Sequence, residues 1–297
     1  MMIQYIGIYT IFVLGINLVN GYLGIFSLAH AGIMAIGGYV SSLCSMYFFK
    51  ESWMFPLSLL IGGGTACLAG MLLAIPSFKV RGDYLAIITL GFSLIIKSAL
   101  QNIEFVGAAR GLRPIPNYTD LIVVYVCVIL SILAVKAFID SKYGRSLLAI
   151  REDQVASELV SVDVRKIKFV AFSFSSFLIG ISGALLCHLL SYTNPNAFGY
   201  TTIVDGLIMV YLGGIASISG SIIGAAAWEI LVQSLRTIGT WRWVGGGFIL
   251  VLVMIFLPKG ICGNKEITIK GIREFILKAA AMIRRKGERG KEGSYGQ

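Results

Sequence analysis

Charged residues are scarce in this sequence. They make up 13% of its 297 residues, and that is about half the share that soluble domains usually carry. Hydrophobic residues make up 57%, and they gather into runs long enough to cross the ~30 Å hydrocarbon core of a bilayer. Little charge and long apolar runs together exclude an ordinary soluble domain and indicate a polytopic membrane protein.

Residue types that carry catalysis or bind metals are also few. The two histidines are isolated and the five cysteines are scattered without a C-x-x-C pair, so we expect neither a metal site nor a disulfide framework. A membrane-embedded enzyme would need paired carboxylates or a histidine cluster within its spans, so we do not expect an enzyme. The G-x-x-x-x-G-K-S/T motif that cradles nucleotide phosphates is missing too, and we expect no cofactor on this chain itself.

Apolar runs divide the chain. Runs that are long enough to span, or nearly so, lie at 3–20, 31–49, 54–76, 84–103, 120–139, 167–190 and 216–235, and a shorter one at 243–257. The run at 201–213 is too short to cross as a straight helix, and we interpret it as a broken or re-entrant element. The sequence therefore predicts an all-α bundle of transmembrane helices, with about eight to nine crossings and interrupted helices. Residues 1–263 form the transmembrane domain and 264–297 a cytoplasmic tail.

The net charge of +10 could indicate nucleic acid, but the basic residues lie between and after the apolar runs. If the polar stretch at 140–168 is cytoplasmic, nineteen of the 25 Lys and Arg residues face the cytoplasm, as the positive-inside rule predicts. No basic residue precedes Lys50, so we expect no cleavable signal peptide. The basic tail carries an apolar stripe from Ile272 to Ile283, which is typical of an interfacial helix on anionic lipid. We expect a membrane partner and no nucleic acid.

The longest polar interruption runs from Asp140 to Lys168, and we call it the 140–168 loop. Leu148, Val155 and Leu159 are spaced to share one face of a helix. Asp153 is expected to cap a short second helix, and Ser146 the turn before it. The apolar face could lie on the protein itself, or it could dock into a groove of a cytoplasmic partner.

Short motifs along this loop carry a family resemblance: Gly144-Arg145-Ser146, Ala149-Ile150-Arg151-Glu152-Asp153, Ala156 and Glu158-Leu159. They resemble the cytoplasmic coupling loop of the branched-chain amino acid ABC transporter permeases, the LivM/LivH family. The resemblance implies that these residues dock on an ATPase subunit. Ser161 stands where the family usually has glycine, the residue that best accepts a positive φ at a helix end.

A glycine-rich stretch from Asn20 to Gly38 joins the first two apolar runs, and such a stretch hardly supports a straight helix. Its backbone could line a cavity and contact a solute, or its glycines could let helices pack closely. His30 could carry a proton or touch solute, or it could be a buried ring bonded to a backbone carbonyl. The stretch G-Y-L-G-I-F-S-L-A-H-A-G-I-M-A-I-G-G-Y resembles the early signature of the same family, with Ala29 where glycine is common. Candidates for the translocation path here are Gly24, Ser27, His30 and Gly32.

A second interrupted stretch runs from Asp205 to Ala225 and resembles another signature of that family. Asp205 replaces a glutamate of the family, Ala216 a glycine and Ser221 a proline. Interrupted stretches in corresponding halves point to a binding site near the bilayer midplane, which makes Asp205, Gly213 and Gly214 further path candidates. Asp205 could bind the ammonium group of a solute, or it could cap a helix in a polar crevice.

The resemblance covers about residues 20–263 in four regions that follow the family's order. It implies a permease subunit of an ATP-driven importer of leucine, isoleucine or valine in the bacterial plasma membrane. Its partners would be two ATPase subunits that bind ATP and Mg²⁺, a second permease subunit and an extracytoplasmic substrate-binding protein. Two alternatives stay open: a related importer of urea, amides or a sugar, and an ion-coupled transporter, which would need intramembrane carboxylates.

Overall fold

The computed structural model of the chain describes residues 1–49, 51–80, 82–234 and 247, and within these ranges it is helical and has no β-strand. The helices are α1 (Met2–Asn17), continued by a π-helix (Leu18–Tyr22), α2 (His30–Tyr47), α3 (Phe55–Ser77), α4 (Asp83–Asn102), α5 (Leu121–Asp140), α6 (Lys142–Glu152), α7 (Gln154–Leu159), α8 (Val164–Leu190), α9 (Tyr200–Gly213) and α10 (Ile218–Ser234). The predicted all-α fold is confirmed.

Five helical segments are long and apolar enough to span a membrane: Met2–Tyr22, Ser52–Ser77, Asp83–Asn102, Leu121–Asp140 and Val164–Leu190. Each matches a predicted apolar run to within a few residues. The predicted span at 243–257, the tail and its interfacial helix lie outside the described residues. The predicted total of eight to nine crossings and the division at residue 263 therefore stay predictions.

Helix α8 forms the centre of the bundle. Within its most apolar window 72% of the residues are buried, against 22% in the corresponding windows of α4 and α5. Small residues bring its neighbours close, because a side chain at Gly37 of α2 would overlap the backbone of Gly180 on α8, and one at Gly70 of α3 would overlap Ser176. Close backbone approach of this kind is how helices associate in lipid, where burial of apolar surface supplies little driving force.

Helices α9 and α10 form an antiparallel hairpin. Gly213 faces Gly220 across the pair, and farther along Gly224 faces the carbonyl of Met209. Thr201 near the start of α9 and Gln233 near the end of α10 line one and the same cavity, so the hairpin enters and leaves the bundle at one end. The short run at 201–213 is thus one arm of a helical hairpin, and the predicted apolar run at 216–235 supplies the other arm; whether either arm crosses the membrane stays a prediction. We call residues 214–217 the hairpin tip.

The 140–168 loop contains helices α6 and α7, and a side-chain oxygen caps the N-terminus of each helix. The Asp153 carboxylate accepts from the backbone N–H groups of Val155 (2.8 Å) and Ala156 (3.1 Å), which confirms the predicted cap. The prediction for Ser146 is wrong: it lies inside α6 and donates to the carbonyl of Lys142, 2.9 Å away. Ser141 caps α6 instead, accepting from Tyr143 at 3.2 Å.

Candidate functional site

The 140–168 loop turns one set of side chains inward and another outward. Leu147 and Ile150 are 0% and 6% exposed and pack against the bundle, whereas Leu148, Val155 and Leu159 are 39%, 59% and 83% exposed. The three apolar residues predicted to share a face therefore do not lie on the protein itself. Of the other predicted docking residues, six are exposed, Arg151 is half-buried and Gly144 is buried; the six are Arg145, Ala149, Glu152, Asp153, Ala156 and Glu158.

Ser161 and Ala216 are among four non-glycine residues of the described chain that have a positive φ; the other two are Ala108 and Ser191. Ser161 follows α7 with φ 65°, and Ala216 lies in the hairpin tip with φ 58°. The N–H of Val162 returns to the carbonyl of Ser157 at 3.1 Å, the longer bond of a Schellman ending. Ser161 and Ala216 therefore adopt backbone conformations that glycine adopts more easily, and each of these L-residues carries ~1–2 kcal/mol of strain.

We expect Ser161→Gly and Ala216→Gly to raise the thermal stability of the purified protein, each by ~1 kcal/mol, because glycine removes the strain of the left-handed conformation. Thermal unfolding in detergent measures the effect. Ala31→Gly is the matched control, since Ala31 lies within helix α2 and glycine there is expected to destabilise. A fall in stability at both positions would contradict the assignment of strain.

The segment of residues 23–29, which we call the first break, lies between the π-helix and α2. Side chains satisfy several of its backbone groups: the N–H of Leu28 donates to the Thr89 hydroxyl (2.9 Å), and the Ser93 hydroxyl donates to the Leu28 carbonyl (2.9 Å). Asn20 binds both backbone groups of the buried Ser27, accepting from its N–H at 3.1 Å and donating to its carbonyl at 3.2 Å. The predicted interruption of the helix is thus confirmed, and side-chain hydrogen bonds from Asn20, Thr89 and Ser93 hold the non-helical segment in place.

Gly24 lies where the first break meets the 140–168 loop. Its φ is +73°, and a Cβ atom there would stand 2.8 Å from Cγ of Arg151. Both residues line a cavity of about 270 Å³ that Asp83 and the buried Lys168 also line. The structure therefore places this path candidate against the predicted docking helix.

Asn17, the last residue of α1, ties the hairpin tip to α1, and the sequence reasoning missed it. Its amide nitrogen donates to the Ser221 hydroxyl at 2.8 Å and to the carbonyls of Ser217 and Gly214 at 3.1 and 3.4 Å. Its amide oxygen accepts from the N–H of Ala216 at 2.9 Å. The signal that could have found it is an amide within an apolar run, since polar side chains in spans are seldom without a partner.

His30, at the start of α2, is 3% exposed, and its Nε2 lies 3.0 Å from the carbonyl of Ile203 on α9. This nitrogen must carry the proton, because a carbonyl only accepts. The interpretation of His30 as a buried ring bonded to a backbone carbonyl is confirmed. Gly32 is close to Ser93, and Gly213 to Gly220, so neighbouring helices occupy the space beside both glycines.

A cavity of about 510 Å³ opens between the ends of α1, α9 and α10. Asp205 lines it from the second turn of α9, and Glu229 lines it from α10. Asp205 does not cap its own helix, because Gly199 precedes the first residue of α9. Glu229 is 6% exposed and was missed, although a carboxylate in the apolar run 216–235 is an intramembrane charge.

Comparison with known proteins identifies the family to which the chain is similar. The family described as the permease component of the branched-chain amino acid transport system matches residues 1–257. The high-affinity branched-chain amino acid transport system permease protein LivM of Escherichia coli K12 is 30% identical, over 86% of this chain and 67% of that protein. LivH, the permease protein with the same description from that organism, is 27% identical over 49% of this chain and 48% of its own length.

The xylose transport system permease protein XylH of Haemophilus influenzae is 26% identical over 44% of this chain and 37% of its own length. No solved structure matches significantly.

Proposed function

Since this chain belongs to the family of branched-chain amino acid transport permease components, we propose that it is a membrane-spanning subunit of an ATP-driven importer of leucine, isoleucine or valine. In this proposal, two ATPase subunits bind ATP and Mg²⁺ and act on the 140–168 loop. A second permease subunit completes the translocation path. An extracytoplasmic binding protein delivers the amino acid at the bacterial plasma membrane.

The observation that carries the proposal is the exposed apolar surface of the 140–168 loop. Leu159, the last residue of α7, and Val160, which follows it, are 83% and 72% exposed. Together with Val155 they form a small group of exposed apolar side chains along and just after α7, and such a group suits the groove of a partner protein. The inward side of the same loop contacts the first break through Arg151 and Gly24, so a push on the loop has a direct route into the bundle.

For the solute we propose the cavity between α1, α9 and α10. The carboxylates of Asp205 and Glu229 favour a cationic group such as an amino acid's ammonium. Met209 and Trp228 line the same cavity and offer apolar contact for a branched side chain. The volume is in the range of small-molecule sites.

A sugar is the second candidate solute, because the relative in Haemophilus influenzae is named a xylose permease. A sugar site needs hydroxyl and amide partners, and Thr201, Thr202 and Gln233 line the cavity as well. The two carboxylates that line the cavity favour an ammonium-bearing solute over a neutral sugar, since a nearby negative charge favours a cationic group.

Uptake of radiolabelled leucine by membrane vesicles that contain the chain and its associated subunits tests the proposal. We expect saturable leucine uptake that requires ATP on the side of the membrane that the 140–168 loop faces. Unlabelled isoleucine and valine should suppress this uptake, and xylose and urea should not. Suppression by xylose alone would overturn the amino-acid assignment. Uptake that follows an ion gradient without ATP would overturn the ATP-driven mechanism.

A further inference from the structure

Asn17 sits at the junction of two interrupted segments. It is 1% exposed, and its amide bonds engage four groups in and beside the hairpin tip: the carbonyls of Gly214 and Ser217, the N–H of Ala216 and the hydroxyl of Ser221. An amide both donates and accepts, so one side chain binds backbone groups of both kinds in the tip. The Ser217 carbonyl also accepts from the N–H of Ser221 at the start of α10.

The π-helix that follows brings the tip even closer. A Cβ atom on Gly21 would overlap the Asn17 amide oxygen and would stand 2.7 Å from the backbone nitrogen of Ala216. Helices rarely widen to a π-turn, and where they do the turn is often functional. Asn17 precedes the π-helix and Asn20 lies within it, and the two side chains bind different partners. Asn17 binds the hairpin tip, and Asn20 binds Ser27 of the first break.

Further contacts connect the π-helix to the first break, and the first break to helix α6. The N–H of Ile25 in the first break donates to the carbonyl of Val19 in the π-helix at 3.1 Å. Gly24, next to Ile25, is in contact with Arg151 of α6. A continuous set of contacts thus joins the 140–168 loop, the first break, the π-helix and the hairpin tip.

We propose that Asn17 is a positioning residue that makes the hairpin tip follow the π-helix and the first break when the 140–168 loop is displaced. The inference rests on the proposed function, because it needs an ATPase that displaces the loop. Small shifts at one site are amplified through elements that have two discrete arrangements, and the proposal requires the α9–α10 hairpin to be such an element. Without Asn17 the loop still moves, but the tip no longer follows it.

The test compares leucine import with ATP hydrolysis in proteoliposomes that contain the whole complex. For Asn17→Ala we expect ATP hydrolysis by the assembled complex to stay near the wild-type rate, while the leucine imported per ATP falls about tenfold, a common size for a lost coupling. A residue with a purely structural role would lower both rates in parallel. An unchanged ratio of import to hydrolysis, or a parallel loss, overturns the proposal.

Ser221→Ala is the second variant, because it removes one partner of Asn17 and leaves the tip backbone in place. We expect the same lowered ratio, smaller in size. Ser182→Ala is the matched control: Ser182 is also fully buried, but its hydroxyl donates within its own helix to Ile179 at 2.7 Å, so its ratio should equal that of the wild type.

If the Asn17→Ala complex does not assemble, Ser221→Ala decides: a ratio equal to that of Ser182→Ala overturns the proposal. A wild-type complex that imports no leucine with ATP would refute the proposed function itself, and this result is visible without any variant.

Discussion

Leucine uptake is expected to fall to background when Glu152→Lys is combined with Leu159→Asp, while the amount of protein in the membrane stays the same. Both side chains are exposed in the structure, and Leu159 is 83% exposed. Surface substitutions of this kind change folding stability by only ~0.5 kcal/mol. A residue at the centre of a protein interface can be worth ~2 kcal/mol or more, and each substitution puts an unfavourable charge into the proposed interface, so the double variant should detach the ATPase.

Uptake in whole cells and the quantity of chain in the membrane fraction measure this effect, and co-purified ATPase measures its cause. Glu104→Lys is the control, because it reverses an exposed charge of the same kind on the loop between α4 and α5 and should leave the ATPase bound. Unchanged uptake in the double variant would show that the 140–168 loop does not couple to an ATPase.

The second large effect concerns Gly24→Val. A valine there must adopt φ +73° and place its Cβ 2.8 Å from Cγ of Arg151. The left-handed backbone costs ~1–2 kcal/mol for an L-residue, and forcing extra atoms into a packed contact typically costs ~1–3 kcal/mol more. We expect import to be lost, since the contact between the first break and the 140–168 loop is pushed apart.

Gly82→Val separates the two causes. Gly82 has φ +63° and ψ −140°, a backbone that L-residues also avoid, but nothing lies within 4 Å of a Cβ atom built there. Its variant therefore carries backbone strain without the clash. Import should be lost in Gly24→Val and largely kept in Gly82→Val, with both chains assembled. Equal losses would mean that backbone strain alone is responsible, and an assembled, fully active Gly24→Val would refute the role of the contact.

Local patterns in the sequence predicted the elements well. Span lengths follow from the apolar runs, because a helix in lipid must satisfy its backbone within itself, and the described helices match those runs. The cap at Asp153 and the interruptions at Gly24 and Gly214 are local features of residue type, and they were found. The roles assigned to the path and docking residues, and the partners, stay predictions.

What the sequence could not predict depends on contacts between distant residues. Asn17 satisfies a turn that lies near residue 216, and nothing in the first apolar run indicates that turn. Ser146 was expected to be a cap from its type alone, yet Ser141 precedes it at the true start of α6. Ser161 keeps a left-handed φ without glycine, so the shape of that turn is set by its surroundings rather than by its own residue type.

The path itself shows the same limit. Gly24 was a candidate for the path, with close packing as the alternative, and in the structure it lies against Arg151, a residue far along the chain. Glu229 meets Asp205 at one cavity only because α10 folds back along α9. A run of apolar residues indicates the length of a helix but not the direction in which it runs. The hairpin, and the cavity that these two carboxylates share, therefore became visible only in the tertiary structure.

Purification of the tagged chain from its native membrane in a mild detergent, followed by mass spectrometry of what remains bound, tests the central claim most directly. We predict that an ATPase with a G-x-x-x-x-G-K-S/T motif and a second permease chain co-purify, and that the ATPase is lost from the Glu152→Lys, Leu159→Asp variant. A chain that purifies without any ATPase, under conditions that keep a known transporter complex intact, would contradict an ATP-driven importer and would favour an ion-coupled carrier with Asp205 and Glu229 in its path.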